Sequence, residues 1–280
     1  MSEFWKRTLS GAVYVGVVVS SIVFIPELFG LLSCVLAWLS VREFNRLHHP
    51  RCLVDIESEI GAALLVASIA HVSYMPENSS FISDALPYIV LMLALIICEL
   101  WDQKNNPVDY WGRLFTGQVM LALPFALMNV LNSKSNWLLL AVFVLIWVND
   151  SGAYCVGSLT AKRKGGNHKM FSRVSPKKSW EGLFGGILLT IVVSALLAHF
   201  RWFDGIGGTL NAYIKGILFA SVVSIFGTLG DLMESLFKRS IGVKDSGKFL
   251  PGHGGVLDRF DSILLAAPVA LLLVMVISHC

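Results

Sequence analysis

The sequence predicts an all-α, polytopic integral membrane protein of about nine transmembrane helices, with its N-terminus cytoplasmic and its C-terminus outside. Three observations carry this expectation. Of the 280 residues, 55% are apolar and 15% are charged, and the mean hydropathy is +0.68; a soluble domain of this length is nearer a quarter charged. Nine mostly apolar segments approach the roughly 20 residues that a helix needs to cross hydrocarbon. Lys and Arg alternate between the resulting loops as the positive-inside rule demands.

The segments run approximately at 8–25, 29–47, 60–75, 85–101, 114–131, 137–159, 182–200, 213–229 and 262–279, the third and fourth being the weakest of the nine. The first follows Lys6 and Arg7 in the manner of a signal peptide. No small-x-small cleavage pattern follows it, so it reads as a retained helix. With the N-terminus inside, 19 of the 22 Lys and Arg residues fall on the inner side, leaving Lys134, Arg201 and Lys215 outside. A wrong helix count would scramble that alternation. The net charge of +3 therefore matters through its location, a basic inner face opposite anionic headgroups. The expected home is the inner (plasma) membrane, multi-pass, with no nucleic-acid partner. The five cysteines, Cys34, Cys52, Cys98, Cys155 and Cys280, show no metal-ligand spacing and read as reduced and structural.

The chain divides into N-terminal transmembrane helices, 1–135, and a catalytic transmembrane region, 136–280, with two long cytoplasmic loops at 160–181 and 230–261. Polar groups within helices are sparse, the main ones being His71, Glu99 and Asp150. His71 reads as packed or interfacial rather than as a ligand. A transporter or channel would line a path through the bilayer with polar residues. Here they pool on one face, which points to an enzyme working at the cytoplasmic surface. Gly182 and Gly186 form a small-xxx-small pair that predicts close helix packing.

Chemistry concentrates in three stretches. In GTLGDLMESLFKRS, 227–240, a continuing helix puts Asp231, Glu234, Ser235 and Lys238 on one face, though a solvated helix end gives similar mixtures. In VLDRFDS, 256–262, Asp258, Asp261 and Ser262 share a face at the start of the last helix, where helix capping is the simpler reading of the acids. Capping leaves the preceding PGHGG unexplained, because its glycines let backbone N–H groups approach an anion. Carboxylates from two helices, a Gly-rich turn and surrounding Lys, Arg and His together predict a polyphosphate site with a hard cation such as Mg2+. The third stretch comprises NDSGAY, 149–154, and SPKKSWEG, 175–182. Ser175-Pro176 reads as a helix start and Glu181 as an early-helix acid. Lys177 and Lys178 suggest a second phosphate-binding surface. No Walker motif, GxGxxG or Ser-His-Asp arrangement is present.

The stretch SLFKRSIGVKDSGKFLPGHGGVLDRFD, 235–261, resembles in full the signature of phosphatidate cytidylyltransferases, also called CDP-diacylglycerol synthases. GDLMES, NDSGAY and SPKKSWEG also look like blocks of that family, so the resemblance covers about residues 140–279. It implies transfer of the cytidylyl group of CTP to phosphatidate in the bilayer, with pyrophosphate released and Mg2+ as cofactor. By that likeness Asp231 and Asp258 hold the metal and Asp261 supports it. Lys238, Arg239, Lys244, His253 and Arg259 offset phosphate charge, Asp245 belongs to the same catalytic set, and Gly254 and Gly255 help cradle phosphate. Asn149, Asp150, Ser175, Lys178 and Ser235 shape the nucleotide side. A homodimer is a candidate assembly.

Two rival enzymes use related chemistry. A CTP-dependent lipid kinase attacks the γ-phosphorus and releases CDP rather than pyrophosphate. A CDP-alcohol phosphotransferase needs a DG-x-x-AR pattern, which this chain lacks.

The basic asymmetry makes a direct prediction. A reporter fused after Cys280 is expected to be exported, and one inserted within 160–181 to remain cytoplasmic. Recovery of both on one side of the membrane would overturn the nine-helix topology.

Overall fold

A computed structural model of the chain describes residues 3–48, 53–77, 79–101, 106–162, 166–247 and 254–279. The described residues include ten α-helices and one small hairpin: α1 (Glu3–Phe24), α2 (Pro26–His48), α3 (Leu53–Tyr74), α4 (Phe81–Cys98), α5 (Pro107–Thr116), α6 (Leu123–Lys134), α7 (Asn136–Ala161), β1 (Lys169–Phe171), β2 (Ser175–Ser179), α8 (Trp180–His199), α9 (Ala212–Ser240) and α10 (Leu257–Ser278). All nine expected segments fall on helices. Seven helical stretches of the described residues are long and apolar enough to cross a membrane, which gives a multi-pass membrane architecture. The third and fourth segments, weakest in the sequence, are among the seven. The first contributes the shorter apolar stretch Gly11–Phe24, and α2, whose last turns carry Arg42, Glu43, Asn45 and Arg46, is not one of them.

The chain forms two compact units. The first comprises Met1–Ser133 and Asp245–Arg259, the second Lys134–Lys244 and Phe260–Cys280. The segment 245–259 belongs with the N-terminal helices of the first unit, apart from the rest of the chain's second half.

In the first unit α2 packs on α3 and α3 on α4, with α1 against α2. Asn106 caps α5 by accepting from the Val108 N–H at 3.1 Å, and Pro107 occupies the first helical turn, where its missing N–H costs nothing. A π-helical turn over Gly117–Ala122 joins α5 to α6 and rests on α2 and α3. A polar network ties the helices together: Asn129 donates to the Ser33 hydroxyl at 2.9 Å, and the Tyr74 hydroxyl donates to Asn129 Oδ1 at 3.0 Å.

In the second unit α8 is the central helix, packed against α7 and α9. The Gly182 and Gly186 pair works as its spacing predicts. A Cβ on Gly186 would lie 2.5 Å from Asn149 Oδ1 and 2.8 Å from the Asn149 carbonyl oxygen, and one on Gly182 would lie 3.0 Å from the Ala153 carbonyl oxygen. Gly185 presses against Val156 in the same way. The Thr190 and Ser224 hydroxyls share a 2.7 Å hydrogen bond between α8 and α9. Gly230 brings α9 against α10, since a Cβ there would stand 2.5 Å from the Asp261 carbonyl oxygen.

The sequence reading of Ser175-Pro176 as a helix start is corrected by the structure. These residues open β2, which pairs antiparallel with β1. Helix α8 begins four residues later, where the Ser179 hydroxyl accepts from the Gly182 N–H at 3.2 Å, an N-cap that stands nearer the apolar run. Glu181 is more than an early-helix acid. Its carboxylate accepts from the His168 backbone N–H at 3.0 Å and meets His168 Nδ1 at 2.6 Å, clasping the start of the hairpin.

The glycine seam yields a stability prediction. Gly186→Val is expected to cost about 1–3 kcal/mol, the usual price of overpacking, and to lower the melting temperature of the detergent-solubilised protein. Gly112→Ala, which meets no heavy atom within 4 Å, serves as the control. Equal melting temperatures for the two variants would refute the close packing of α7 on α8.

Candidate active site

A cavity of about 260 Å³ opens in the second unit. Helix α7 contributes Asn149, Asp150 and Tyr154, β2 contributes Lys177 and Lys178, α8 contributes Gly182 and Leu183, and α9 contributes Thr228 and Asp231. The close α7–α8 packing places the Asn149-Asp150 step at the cavity wall. Both lysines line the cavity, Lys178 partly buried and Lys177 exposed.

The Lys178 ammonium stands 2.6 Å from Asp231 Oδ2 and donates to the Thr228 carbonyl oxygen at 3.3 Å. Ser235, one turn further along α9, donates to Asp231 Oδ1 at 3.3 Å. Asn149 is buried and donates to the Thr228 hydroxyl at 3.3 Å. Asp150 interacts electrostatically with Asp231 and Lys178. Asp261 interacts with Asp231, Glu234 and Asp150, and its Oδ1 accepts from the Ser262 N–H at 2.6 Å. Lys238 pairs with buried Glu234 at 2.5 Å. Four carboxyl groups thus share one neighbourhood with two lysines.

The donors fit a magnesium ion. Among the described residues no three His, Cys, Asp or Glu side chains form a ready metal cage. Mg2+ does not require one, because it keeps waters and binds through one or two carboxylates plus substrate phosphates. Hard carboxylate oxygens in excess of the local lysines suit that demand.

The other residues singled out in the sequence lie outside this cavity wall. Ser175 pairs with Phe171 in the hairpin. Arg239 is exposed and donates to the Val243 carbonyl oxygen at 3.2 Å; Lys244, Asp245 and Arg259 are exposed. His253 falls outside the described residues.

Asp258, Gly254 and Gly255 belong to the first unit, in a turn that the sequence reading explained only in part. Asp258 Oδ2 accepts from the Gly255 N–H at 2.8 Å, the Ser246 N–H at 3.0 Å and the Ser246 hydroxyl at 3.0 Å. The Gly255 amide, expected to face a bound anion, donates to a carboxylate of its own turn. Gly254 has φ +84°, a left-handed conformation that glycine adopts without strain.

Sequence reasoning missed Glu43, Ser246, Thr228 and Tyr154. Glu43 is a carboxylate inside the segment 29–47 that the sequence reads as a span, where an acid is by default a functional signal. The other three carried no signal of their own.

Comparison with known proteins extends this picture. The sequence pattern of the cytidylyltransferase family matches residues 5–277. A Haemophilus influenzae protein named phosphatidate cytidylyltransferase is 32% identical over 289 aligned residues, covering 94% of this chain and 96% of its own length. A Staphylococcus saprophyticus protein of the same name is 29% identical, covering 90% of this chain and 94% of its own. One from Staphylococcus epidermidis is 44% identical over 182 residues, 64% of this chain. With the match running almost from end to end, through the helices as well as the cavity-lining blocks, this chain belongs to the cytidylyltransferase family.

Proposed function

We propose that this protein transfers the cytidylyl group of CTP to phosphatidate, forming CDP-diacylglycerol and releasing pyrophosphate. Family membership and the names of the relatives support the substrates. The observation that carries the reading is the Lys178–Asp231 ion pair, which joins the SPKKSWEG and GDLMES blocks at the wall of a cavity that NDSGAY also lines.

In this reaction a phosphate oxygen of phosphatidate attacks the α-phosphorus of CTP, and the bond from that phosphorus to the β-phosphate bridging oxygen breaks. No covalent nucleophile on the protein is needed, because positioning and charge neutralisation carry phosphoryl-type transfer. Lys178 supplies a cation held in place by Asp231 and the Thr228 carbonyl. Asn149 and Asp150 shape the nucleotide side of the cavity. Asp231 is the proposed metal ligand of this unit, with Asp261 in support; bound Mg2+ would offset negative charge on the leaving pyrophosphate. Asp258 is proposed as a metal ligand on the family likeness alone, and the same likeness proposes Lys238, Arg239, Lys244, His253 and Arg259 as phosphate partners.

The reading includes nine spans, an N-terminus inside, a plasma-membrane location and a cavity facing the cytoplasm. Nineteen of 22 basic residues on one side support that orientation. A homodimer is proposed as the assembly.

With α-labelled CTP, phosphatidate and Mg2+, label is expected in the lipid phase and pyrophosphate in the water. Label entering lipid from γ-labelled CTP, with CDP released, would identify a lipid kinase instead. Lys178→Met removes a charge-assisted contact and is expected to lower kcat/KM for CTP by about 10- to 100-fold. Asp231→Asn and Asp258→Asn should each nearly abolish turnover while leaving a folded, membrane-inserted protein. Near-normal turnover of either single variant at low Mg2+ would remove that aspartate from the metal assignment.

A further inference from the structure

We infer that Glu43 is a positioning residue for the reaction, fixing the start of α10 and, through Ser246, the carboxylate of Asp258. This rests on the reading above only in that Asp258 takes part in catalysis. Glu43 lies near the end of α2 and is 9% exposed. Its Oε1 accepts from the Val256 N–H at 2.9 Å, and its Oε2 accepts from the Leu257 N–H at 3.1 Å. Both are amides at the start of α10, where backbone donors lack partners within the helix and a negative charge meets the positive end of the dipole. Glu43 therefore caps a helix that begins more than two hundred residues further along the chain.

The surrounding glycines show how tightly this carboxylate is fitted. A Cβ on Gly255 would stand 2.3 Å from Glu43 Oε2, and one on Gly247 would stand 2.7 Å from Glu43 Oε1. Any side chain at either position would expel Glu43 or open the turn. The second glycine of HGG is thus required by a side chain of α2, beyond any requirement of a bound phosphate.

Ser246 links the two acids. Its hydroxyl lies 3.1 Å from Glu43 Oε2 and 3.0 Å from Asp258 Oδ2. A hydroxyl carries one proton and can donate to one of these oxygens at a time. If Asp258 turns towards a cation, the Ser246 proton passes wholly to Glu43, and the turn keeps its anchor. Glu43 holds the backbone on either side of that exchange, so Asp258 can change partners without the helix start moving.

The test uses the full-length protein in nanodiscs with CTP, phosphatidate and Mg2+. Glu43→Gln keeps the shape of the side chain, but its amide nitrogen cannot accept from Leu257 or Ser246. It is expected to lower kcat by about 10- to 100-fold and to raise the Mg2+ needed for half-maximal rate, with KM for CTP little changed. Amide hydrogen exchange across 254–258 should quicken, while exchange in α7 and α8 should stay the same. Ser246→Ala, which leaves the Glu43 contacts to Val256 and Leu257 in place, should retain slow exchange at those two amides and still raise the Mg2+ requirement. Unchanged exchange in Glu43→Gln, or unchanged kcat and Mg2+ dependence in both variants, would overturn the inference. If the wild type instead transfers no label to lipid, the proposed function fails, and the exchange measurement still decides whether Glu43 holds the turn.

Discussion

A carboxylate drawn away from water into a helix bundle must find its donors within the protein. That requirement organises both units. In the second, Asp231 and Glu234 stand three residues apart on α9 and meet Lys178 and Lys238. Lys178 reaches Asp231 only because the chain between α7 and α8 folds back as a hairpin. In the first unit Glu43 meets backbone amides instead of a cation. The same demand is met once by an ion pair and once by a helix start. These two solutions suit different tasks. A lysine held by an aspartate still presents positive charge to a phosphate, whereas a carboxylate buried on amides leaves the backbone fixed.

Much of this was legible in the sequence. The nine apolar segments found helices, and the Gly182 and Gly186 spacing found the close α7–α8 seam, because both signals are local and periodic. Asn149, Asp150, Lys178 and Asp231 were singled out from three separate blocks and line one cavity. The role of Glu43 was not legible, because its partners lie 203 to 214 positions away and nothing near it in sequence marks the contact. The hairpin escaped for a different reason. Ser-Pro ahead of an apolar run reads as a helix start, and only the pairing of Lys169 with Ser179 moves the cap four residues on. The Gly255 amide was expected to face a bound phosphate, and sequence could not show that it meets the Asp258 carboxylate of its own turn.

The position of Asp258 illustrates how family signatures mix roles. Residues 235–261 form one continuous motif, yet the structure divides it between the two units at residues 244 and 245 and again at 259 and 260. Lys238 serves an ion pair on α9, while Gly255 and Ser246 serve the turn. A stretch that long serves several independent contacts, so a residue within it needs its own partners to establish its part.

The hairpin has a consequence for how such a protein can diversify. Three cavity walls are helices whose register is locked by packing along many turns. The fourth is a short strand pair tied down at its base by the Ser179 cap and the Glu181 clasp on His168, with exposed residues Ser172 and Arg173 at its tip. Lengthening a surface turn adds little closure entropy, whereas an insertion in a packed helix rotates every later side chain. The turn at Ser172 and Arg173 is therefore the part of this wall that can change length while Lys178 and the packed helices stay as they are.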